Sequence, residues 1–321
     1  MLNHLNRQLE KFLPLMTPVS VLIGVLLGDH LSSFAYLSPW IFAIMTFSGS
    51  ISTNLKQFMK VLARPFPLIA TFFILHLIMP LLALQLGQAI YRDDTFTVTG
   101  LILLAAIPTG IASFVWVSIY KGNIALTLSI ILVDTILSPL VVPYTLFLFL
   151  GTRVHMDIAA MTQGLFLMIV LPSIAGMLLN QWSKGQIVQR WSPMLSPFSK
   201  IALGVVIAIN SSVVSPYLRH IDSKMMEMAL TVLVLISFGY MLGWLCAKLM
   251  RWDQDIVIAL TYNGGMRNIS AGAVLAVSYF APPVAVPVIL GTIFQQSLAS
   301  FFGYIINKRA SLSMEKSRYD S

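Results

Sequence analysis

The sequence Thr261-Tyr262-Asn263-Gly264-Gly265-Met266-Arg267-Asn268-Ile269-Ser270 lies inside a long apolar region, yet it carries two asparagines, two adjacent glycines and an arginine. Glycine weakens a helix. Backbone that leaves the helix at membrane depth must be satisfied by protein or line a cavity. A charge such as Arg267 is expensive at that depth and marks a functional site. We therefore predict that this stretch is the broken centre of a membrane helix and that the other segments hold it in place.

The composition is that of an integral membrane protein. The chain has 321 residues, of which 57% are hydrophobic and 10% are charged, whereas soluble domains carry about 25% charged residues. The apolar runs are long enough for helices rather than barrel strands. The net charge of +8 comes from basic residues between these runs. It therefore predicts an orientation in a lipid membrane and no nucleic-acid partner.

The sequence offers no pattern typical of an enzyme. Cys246 is the single cysteine, which excludes an intrachain disulfide, and no Cys/His cluster has the spacing of metal ligands. No nucleophile–base pair or phosphate-binding loop lies at membrane depth. We predict neither an enzyme nor a bound metal or cofactor. The polar first dozen residues are interpreted as a cytoplasmic lead-in rather than a cleavable signal peptide.

Ten apolar segments are predicted, and an even number places both termini on one side of the membrane. Fifteen Lys and Arg residues, including Lys56, Lys60 and Arg64, fall on that side, and four, including Arg153, fall on the other. Loops rich in Lys and Arg are cytoplasmic, so both termini are predicted to be cytoplasmic. The approximate bounds of the segments are 12–31, 36–53, 66–89, 96–120, 123–150, 158–180, 198–217, 227–249, 256–280 and 283–306.

Segments 4 and 9 are interrupted at matching positions. Segment 4 contains Pro108 and Gly110, which break a helix, and segment 9 contains Gly264 and Gly265. The two segments are five apart in a set of ten, so the two halves have opposite topology. Such a pair of interruptions is the best sequence indication of a transporter site near the midplane. Exposed half-helix N-termini suit an anion, while the alternative role for the glycines is close helix packing.

Two opposite charges lie deep inside the segments, Asp134 and Arg267. Opposite charges at membrane depth usually pair with each other or line a cavity. A structural ion pair without a further role is one alternative, and Asp134 as a proton carrier is another. His76 in segment 3 is interpreted as a hydrogen-bonded core histidine, with a proton site as the alternative.

The residues around both interruptions resemble the bile acid:sodium symporter family. The resemblance rests on Leu260–Asn268, Pro108–Pro139, Ile78–Pro80 and Val284–Pro287, and it covers about residues 10–310. It implies an all-helical transporter domain over 1–321 with a five-helix inverted repeat, in which segments 4 and 9 cross as broken helices. The implied units are a panel bundle (approximately 12–53 and 158–217), a core bundle (approximately 66–150 and 227–306) and a cytoplasmic tail (308–321).

The resemblance also implies a function. We expect sodium-coupled transport of an organic anion, either bile-acid-like or a small carboxylate, across the bacterial inner membrane by alternating access. The alternatives are sodium-independent transport, proton-coupled or facilitated, and a membrane receptor on the same fold.

The residues of the first sodium site depart from the family pattern. A glutamate that serves both sodium sites in the family corresponds here to Asn263. A serine–asparagine pair corresponds to Ser113-Phe114. Of two hydroxyl positions on segment 5, Thr127 is kept in type and Ile131 is not.

The second sodium site departs further. A glutamine of the family corresponds to Arg267, and a second glutamine, on segment 3, corresponds to Leu75. Asp134 stands where the family has a small hydroxyl residue. A guanidinium repels a cation strongly at low dielectric. We hypothesise that Arg267 replaces the second sodium ion, with Asp134 as its counter-charge.

These comparisons define three sets of candidate residues. Asn268 corresponds to a substrate-facing asparagine of the family and Ile111 to a threonine. We expect Asn268 and the half-helix N–H groups to hold the carboxylate or sulfonate of the substrate, aided by Arg267. The ion-site or coupling candidates are Ser113, Thr127, Asp134, Asn263, Gly264, Met266 and Arg267; the substrate-binding candidates are Thr109, Gly110, Ile111 and Asn268; and the helix-break candidates are Pro108, Gly110, Gly264 and Gly265.

Overall fold

The computed structural model describes residues 2–52, 65–151, 154, 156–219 and 221–319, and side chains between 15 and 306 within those ranges. The described ranges contain helices and no β-strand. The helices are α1 (Leu2–Ser32), α2 (Ser38–Ser50), α3 (Pro65–Phe73), α4 (Met79–Ile90), α5 (Thr95–Ala106), α6 (Ala112–Ile119), α7 (Ile124–Leu150), α8 (Ile158–Leu165), α9 (Leu171–Trp182), α10 (Gln186–Val213), α11 (Ser215–Leu218), α12 (Ser223–Leu249), α13 (Gln254–Gly265), α14 (Ile269–Tyr279) and α15 (Ala285–Tyr319).

Short irregular turns join several of these helices. The π-helical turns Ile74–Ile78 and Phe166–Val170 connect α3 to α4 and α8 to α9. Each is followed by a proline, Pro80 or Pro172, in the first turn of the next helix. Because proline has no N–H to donate, a change of hydrogen-bond register just before it costs little backbone pairing.

Seven helical spans of the described chain are long and apolar enough to cross a membrane. They overlap seven of the ten predicted segments, but the seventh segment, predicted at 198–217, begins twelve residues earlier, at Gln186. The other three predicted segments contain shorter helices: α2, the pair α5 and α6, and the pair α13 and α14. The seven spans are Leu15–Ser32, Pro65–Ile90, Ile124–Leu150, Ile158–Trp182, Gln186–Val213, Ser223–Leu249 and Pro282–Ile306.

Polar side chains begin several helices. The carboxylate of Asp94 accepts the N–H of Thr97 at 3.0 Å where α5 begins. The amide oxygen of Asn123 accepts the N–H of Leu126 at 2.9 Å where α7 begins. These side chains satisfy N–H groups that the first turn of a helix leaves unpaired.

We group the helices by the two predicted bundles, and contacts also join the two groups, as between α7 and α8 and between α10 and α14. In the panel group (α1, α2, α8, α9 and α10), α1 lies along α10, and α2 lies against α9 and α10. Gly24 and Gly28 of α1 meet Ala208 and Arg219 in the same order, so α1 runs parallel to α10. In the core group (α3–α7 and α12–α15), α12 packs on α13, and α15 packs on α5, α12 and α14.

We call the side of the membrane on which α1 begins the terminal side, and the opposite side the far side. Part of the predicted charge asymmetry rests on residues outside the described ranges, namely Lys56, Lys60, Arg64 and Arg153. The predicted end of segment 2, residue 53, lies outside them as well. Of the predicted tail, the backbone through Tyr319 continues α15.

Candidate functional site

The breaks in segments 4 and 9 meet each other in the core group. Thr109 and Arg267 form an isolated antiparallel bridge. The N–H of Gly110 donates to the carbonyl of Met266 at 3.0 Å, and the N–H of Asn268 donates to the carbonyl of Pro108 at 2.7 Å. The two breaks therefore satisfy each other's backbone groups, as non-helical backbone at membrane depth requires.

Gly110 is needed for this crossing. A Cβ atom at Gly110 would lie 2.7 Å from the carbonyl oxygen of Arg267. A side chain there would force the two breaks apart. Gly110 thus lies in the break of segment 4 and also lets the backbone of that break approach the backbone of segment 9 closely.

The glycines of segment 9 have a different place from the one we predicted. Gly264 and Gly265 form the last turn of α13, so the helix ends after them and the break begins at Met266. A Cβ at Gly264 would lie 2.7 Å from the carbonyl oxygen of Gly239, and one at Gly265 would overlap the ring of Tyr240. Both glycines let α12 approach α13 closely, which is the packing alternative.

Asn263 joins α6, α7 and α13. Its Oδ1 accepts the hydroxyl of Ser113 at 3.1 Å. Its Nδ2 donates to the hydroxyl of Thr127 at 3.1 Å and to the carbonyl of Ala259 at 2.7 Å. Because a carbonyl can only accept, Ala259 fixes which end of the amide is nitrogen. The side chains of Ser113, Thr127 and Asn263, which we call the trio, are all buried. They hydrogen-bond to one another, and Asn263 presents an N–H rather than its oxygen to Thr127.

Arg267 is buried but loosely held by the protein. Its side chain is 4% exposed. Its guanidinium donates to the carbonyl of Ile107 at 3.5 Å and to the carbonyl of Leu75 at 3.4 Å, both at the long limit for hydrogen bonds. Its backbone N–H donates to Oε1 of Gln295 at 2.8 Å. A guanidinium has five N–H donors, so most of its capacity is left for a ligand.

Asp134 pairs directly with a histidine. Its Oδ1 lies 2.7 Å from Nε2 of His76, and its Oδ2 accepts the N–H of Thr109 at 2.7 Å. The carboxylate is fully buried. Among the described residues, Arg267 makes no ion pair with Asp134 within 4.0 Å, so the two charges are neighbours that do not touch. Arg267 still attracts Asp134 through space, and Thr109 links the two.

A cavity of about 270 Å³ lies between the panel and core groups at the crossing. Arg267 is the charged residue among its described lining. Gly110, Ile111 and Asn268 also line it, whereas Thr109 and the Asn263 trio lie behind it in the core group. The cavity is also lined by polar residues that were not among the predicted site residues: Thr17, Thr46, Ser50, Thr135, Ser173, Ser270, Thr292, Gln295 and Gln296.

Two half-helices begin at this cavity. Ile111 and Ala112, at the start of α6, and Ile269 and Ser270, at the start of α14, all line it. The N-terminus of a helix carries unpaired N–H groups and a partial positive charge. Asn268 caps α14 by accepting the N–H of Ala271 at 3.3 Å. Together with Arg267, these helix ends make the cavity electropositive, which suits an anion.

The cavity reaches from the crossing toward the terminal side. Several panel residues that line it, such as Gly49 and Ser50 of α2 and Met177 of α9, come from the terminal-side halves of their helices, whereas Leu203 and Ile207 lie past the midpoint of α10. On the far side of the crossing, α14 packs against α2 and α10 instead. These contacts of α14 with α2 and α10 close the cavity on the far side.

Comparisons with known proteins agree with this architecture. A family model described as the sodium bile acid symporter family matches residues 39–221. A protein of Bacillus subtilis, YbaS, is 50% identical over 92% of this chain and 97% of its own length, and it is described as uncharacterized. The uncharacterized sodium-dependent transporter YocS of the same organism is 28% identical over 88% of this chain and 87% of its own length. A probable sodium/metabolite cotransporter of Arabidopsis thaliana, the chloroplastic BASS1, is 25% identical over 93% of this chain and 75% of its own length.

The family model covers more than half of the chain, and YbaS matches it almost from end to end. The apolar spans and the proteins matched are those of multi-pass membrane transporters rather than enzymes. The chain belongs to the sodium bile acid symporter family.

Proposed function

We propose that this chain is a secondary transporter that carries a small organic anion through the cavity at the crossing. The panel and core groups would rock against each other to expose the cavity alternately to the two sides. We place the protein in the bacterial inner membrane with the terminal side facing the cytoplasm. The observation that carries the proposal is that Arg267, whose guanidinium makes only long contacts with the protein, lines a cavity of about 270 Å³ together with two half-helix N-termini.

The chemistry of Arg267 favours a carboxylate or sulfonate. A guanidinium binds such groups through two parallel N–H···O bonds, and charged hydrogen bonds of this kind are the strong ones. The contacts of Arg267 with Ile107 and Leu75 are long, at 3.5 and 3.4 Å, so an anion would improve its coordination. The neutral polar residues that line the cavity would bind the rest of the substrate.

The same residues bear on sodium coupling. Arg267 stands where the family resemblance puts the second sodium ion, and it supplies the positive charge in place of that ion. The trio of Ser113, Thr127 and Asn263 has oxygens but no carboxylate to offset the loss of sodium hydration. The names of YocS and BASS1 support sodium as a coupling ion. We therefore propose at most one sodium site in this chain, at the trio.

A second candidate is sodium-independent, proton-coupled transport of the same anion. It is favoured by the 2.7 Å contact between His76 and Asp134 beside the crossing. Histidine is the side chain whose charge changes most readily near neutral pH. A proton held by this pair would offset the charge of a bound anion.

The anion site can be tested by thermal unfolding of the purified protein in detergent with taurocholate or pyruvate added. A ligand that binds only the folded state stabilises it by about 2.7 kcal/mol at a hundred times Kd. We expect saturable stabilisation of the wild type and of Arg267→Lys, and none of Arg267→Gln. Equal stabilisation of Arg267→Gln by the same anions would refute the proposed role of Arg267.

A further inference from the structure

One asparagine of the panel group is buried without any partner. Asn210 of α10 is 1% exposed. Within the part of the chain that the structure describes, neither its Nδ2 nor its Oδ1 has a hydrogen-bond partner, and the buried hydroxyl of Ser38 has none either. Buried polar groups in native proteins are nearly always paired, and leaving them unpaired is costly. Where such a group lies next to a cavity that changes during transport, a second environment can satisfy it, so its position relative to the cavity decides its role.

Helix geometry places both residues in line with the cavity. Leu203 and Ile207 of α10 line the cavity, and Asn210 follows on the same face, three residues further toward the far side. Phe42 of α2 lines the cavity, and Ser38 precedes it by four residues, again on the same face and toward the far side. The two residues thus continue the cavity walls beyond the crossing.

This continuation is covered by the core group. α14 starts at the cavity and runs toward the far side, where it packs against α2 and α10. It also reaches α8, because the hydroxyl of Tyr279 lies directly where a Cβ of Gly164 would stand. The far half of the path is closed by these contacts.

We propose that Ser38 and Asn210 line the far half of the path, and that they become exposed to water and to the passing anion when α14 separates from α2 and α10. The inference rests on the proposed transport cycle. Asn210 then offers amide N–H groups, and Ser38 a hydroxyl, to the oxygens of the anion. The unpaired state of both residues disfavours the closed far side and so keeps the opposite conformation accessible.

Ser211 supplies the matched control. It neighbours Asn210 on α10, is fully buried, and has an unpartnered hydroxyl. Its Cβ, however, lies 2.8 Å from the position of a Cβ on Gly24 of α1. It therefore faces the interior of the panel group and stays covered when the core group moves.

The test is the accessibility of single cysteines in the full-length protein. In a Cys246→Ala background, Ser38→Cys, Asn210→Cys and Ser211→Cys are treated with a membrane-impermeant, negatively charged methanethiosulfonate. Ile221→Cys, at a far-side position that is 77% exposed, reports whether intact cells or inverted vesicles present the far side to the reagent. Labelling after denaturation shows that each cysteine is present.

We expect Ser38→Cys and Asn210→Cys to react from the far side at about 0.1–10% of the rate of Ile221→Cys, because minor states are commonly populated at about that level. Ser211→Cys should not react. The inference is overturned if the first two are unreactive while Ile221→Cys is labelled, or if Ser211→Cys reacts as fast as they do.

A cationic methanethiosulfonate of similar size separates this inference from the proposed function. If the far half of the path exists but the substrate is not an anion, both reagents label Asn210→Cys equally well. If both ideas hold, the anionic reagent is the faster one.

Discussion

Asp134 pairs with His76 across 2.7 Å in the buried centre of the core group. The same carboxylate accepts the N–H of Thr109 at 2.7 Å, so it ties the π-helical turn of segment 3 and helix α7 to the break in segment 4. The intramembrane acid thus holds the crossing in place, while the guanidinium of Arg267 makes only long contacts, with the carbonyls of Ile107 and Leu75.

We predict that Asp134→Ala destabilises the protein by about 1–3 kcal/mol, because it leaves a buried N–H and a partly buried imidazole without their acceptor. Asp134→Asn keeps one acceptor oxygen and should lose less. Thermal unfolding in detergent measures both, with the neighbouring Thr135→Ala as the control. If Asp134→Ala unfolds at the wild-type temperature, the carboxylate does not stabilise the crossing.

Restoring a carboxylate at the trio should restore sodium binding. In Asn263→Glu, sodium would neutralise a buried charge that is costly when left alone. We expect a saturable rise in unfolding temperature in sodium chloride relative to choline chloride at equal ionic strength, larger than in the wild type. If the wild type already shows a sodium-specific rise that Asn263→Glu does not increase, Asn263 is not the reason for weakened sodium coupling.

Gly164→Ala is expected to open the far side. The added methyl group would overlap the hydroxyl of Tyr279, and overpacking of this kind costs about 1–3 kcal/mol. Because the clash exists only when α14 rests on α8, far-side labelling of Asn210→Cys should rise. The added change Tyr279→Phe removes the hydroxyl and should return the labelling toward its original rate; unchanged labelling in Gly164→Ala contradicts this view of the closure.

A surface ion pair gives a prediction on pH. Lys224 Nζ lies 2.7 Å from Asp94 Oδ2 on the far side. Burial raises the pKa of the Asp94 carboxyl, but hydrogen bonds from Lys224 and Thr97 outweigh burial and hold the pKa below its ordinary value. The stabilisation is therefore present above the unfolded-state pKa of about 3.9, and it is lost as the pH falls through the lower folded-state pKa.

We expect Lys224→Met to lose at most about 1 kcal/mol at neutral pH, since the pair is largely exposed. The difference from the wild type should shrink below about pH 4. Unfolding temperatures of both proteins from pH 3 to 7 check this. If the difference in unfolding temperature between Lys224→Met and the wild type grows as the pH falls, the prediction is contradicted.

Much of the fold could be predicted from local composition. Apolar runs mark the spans, and Pro108 with Gly110 marks the break in segment 4, because each signal depends on nearby residues only. The break in segment 9 lies within the predicted stretch Thr261–Ser270, but it begins at Met266, directly after the predicted break residues Gly264 and Gly265. Gly264 and Gly265 serve packing against α12, and glycines for packing look the same in a sequence as glycines for breaking.

The contacts of the site could not be derived in the same way. His76 and Asp134 are 58 positions apart, and either could have faced any of several neighbours. The panel residues of the cavity, such as Thr46 and Ser173, are ordinary polar residues within apolar segments. Only the packing of the helices shows that they line the same cavity as Arg267.

The central claim is that the buried guanidinium of Arg267 binds the transported anion, and uptake into proteoliposomes tests it most directly. Radiolabelled taurocholate and pyruvate would be offered to the wild type, Arg267→Lys and Arg267→Gln. The account predicts saturable uptake of at least one anion by the wild type, partial uptake by Arg267→Lys and none by Arg267→Gln. Uptake by Arg267→Gln equal to that of the wild type would contradict it.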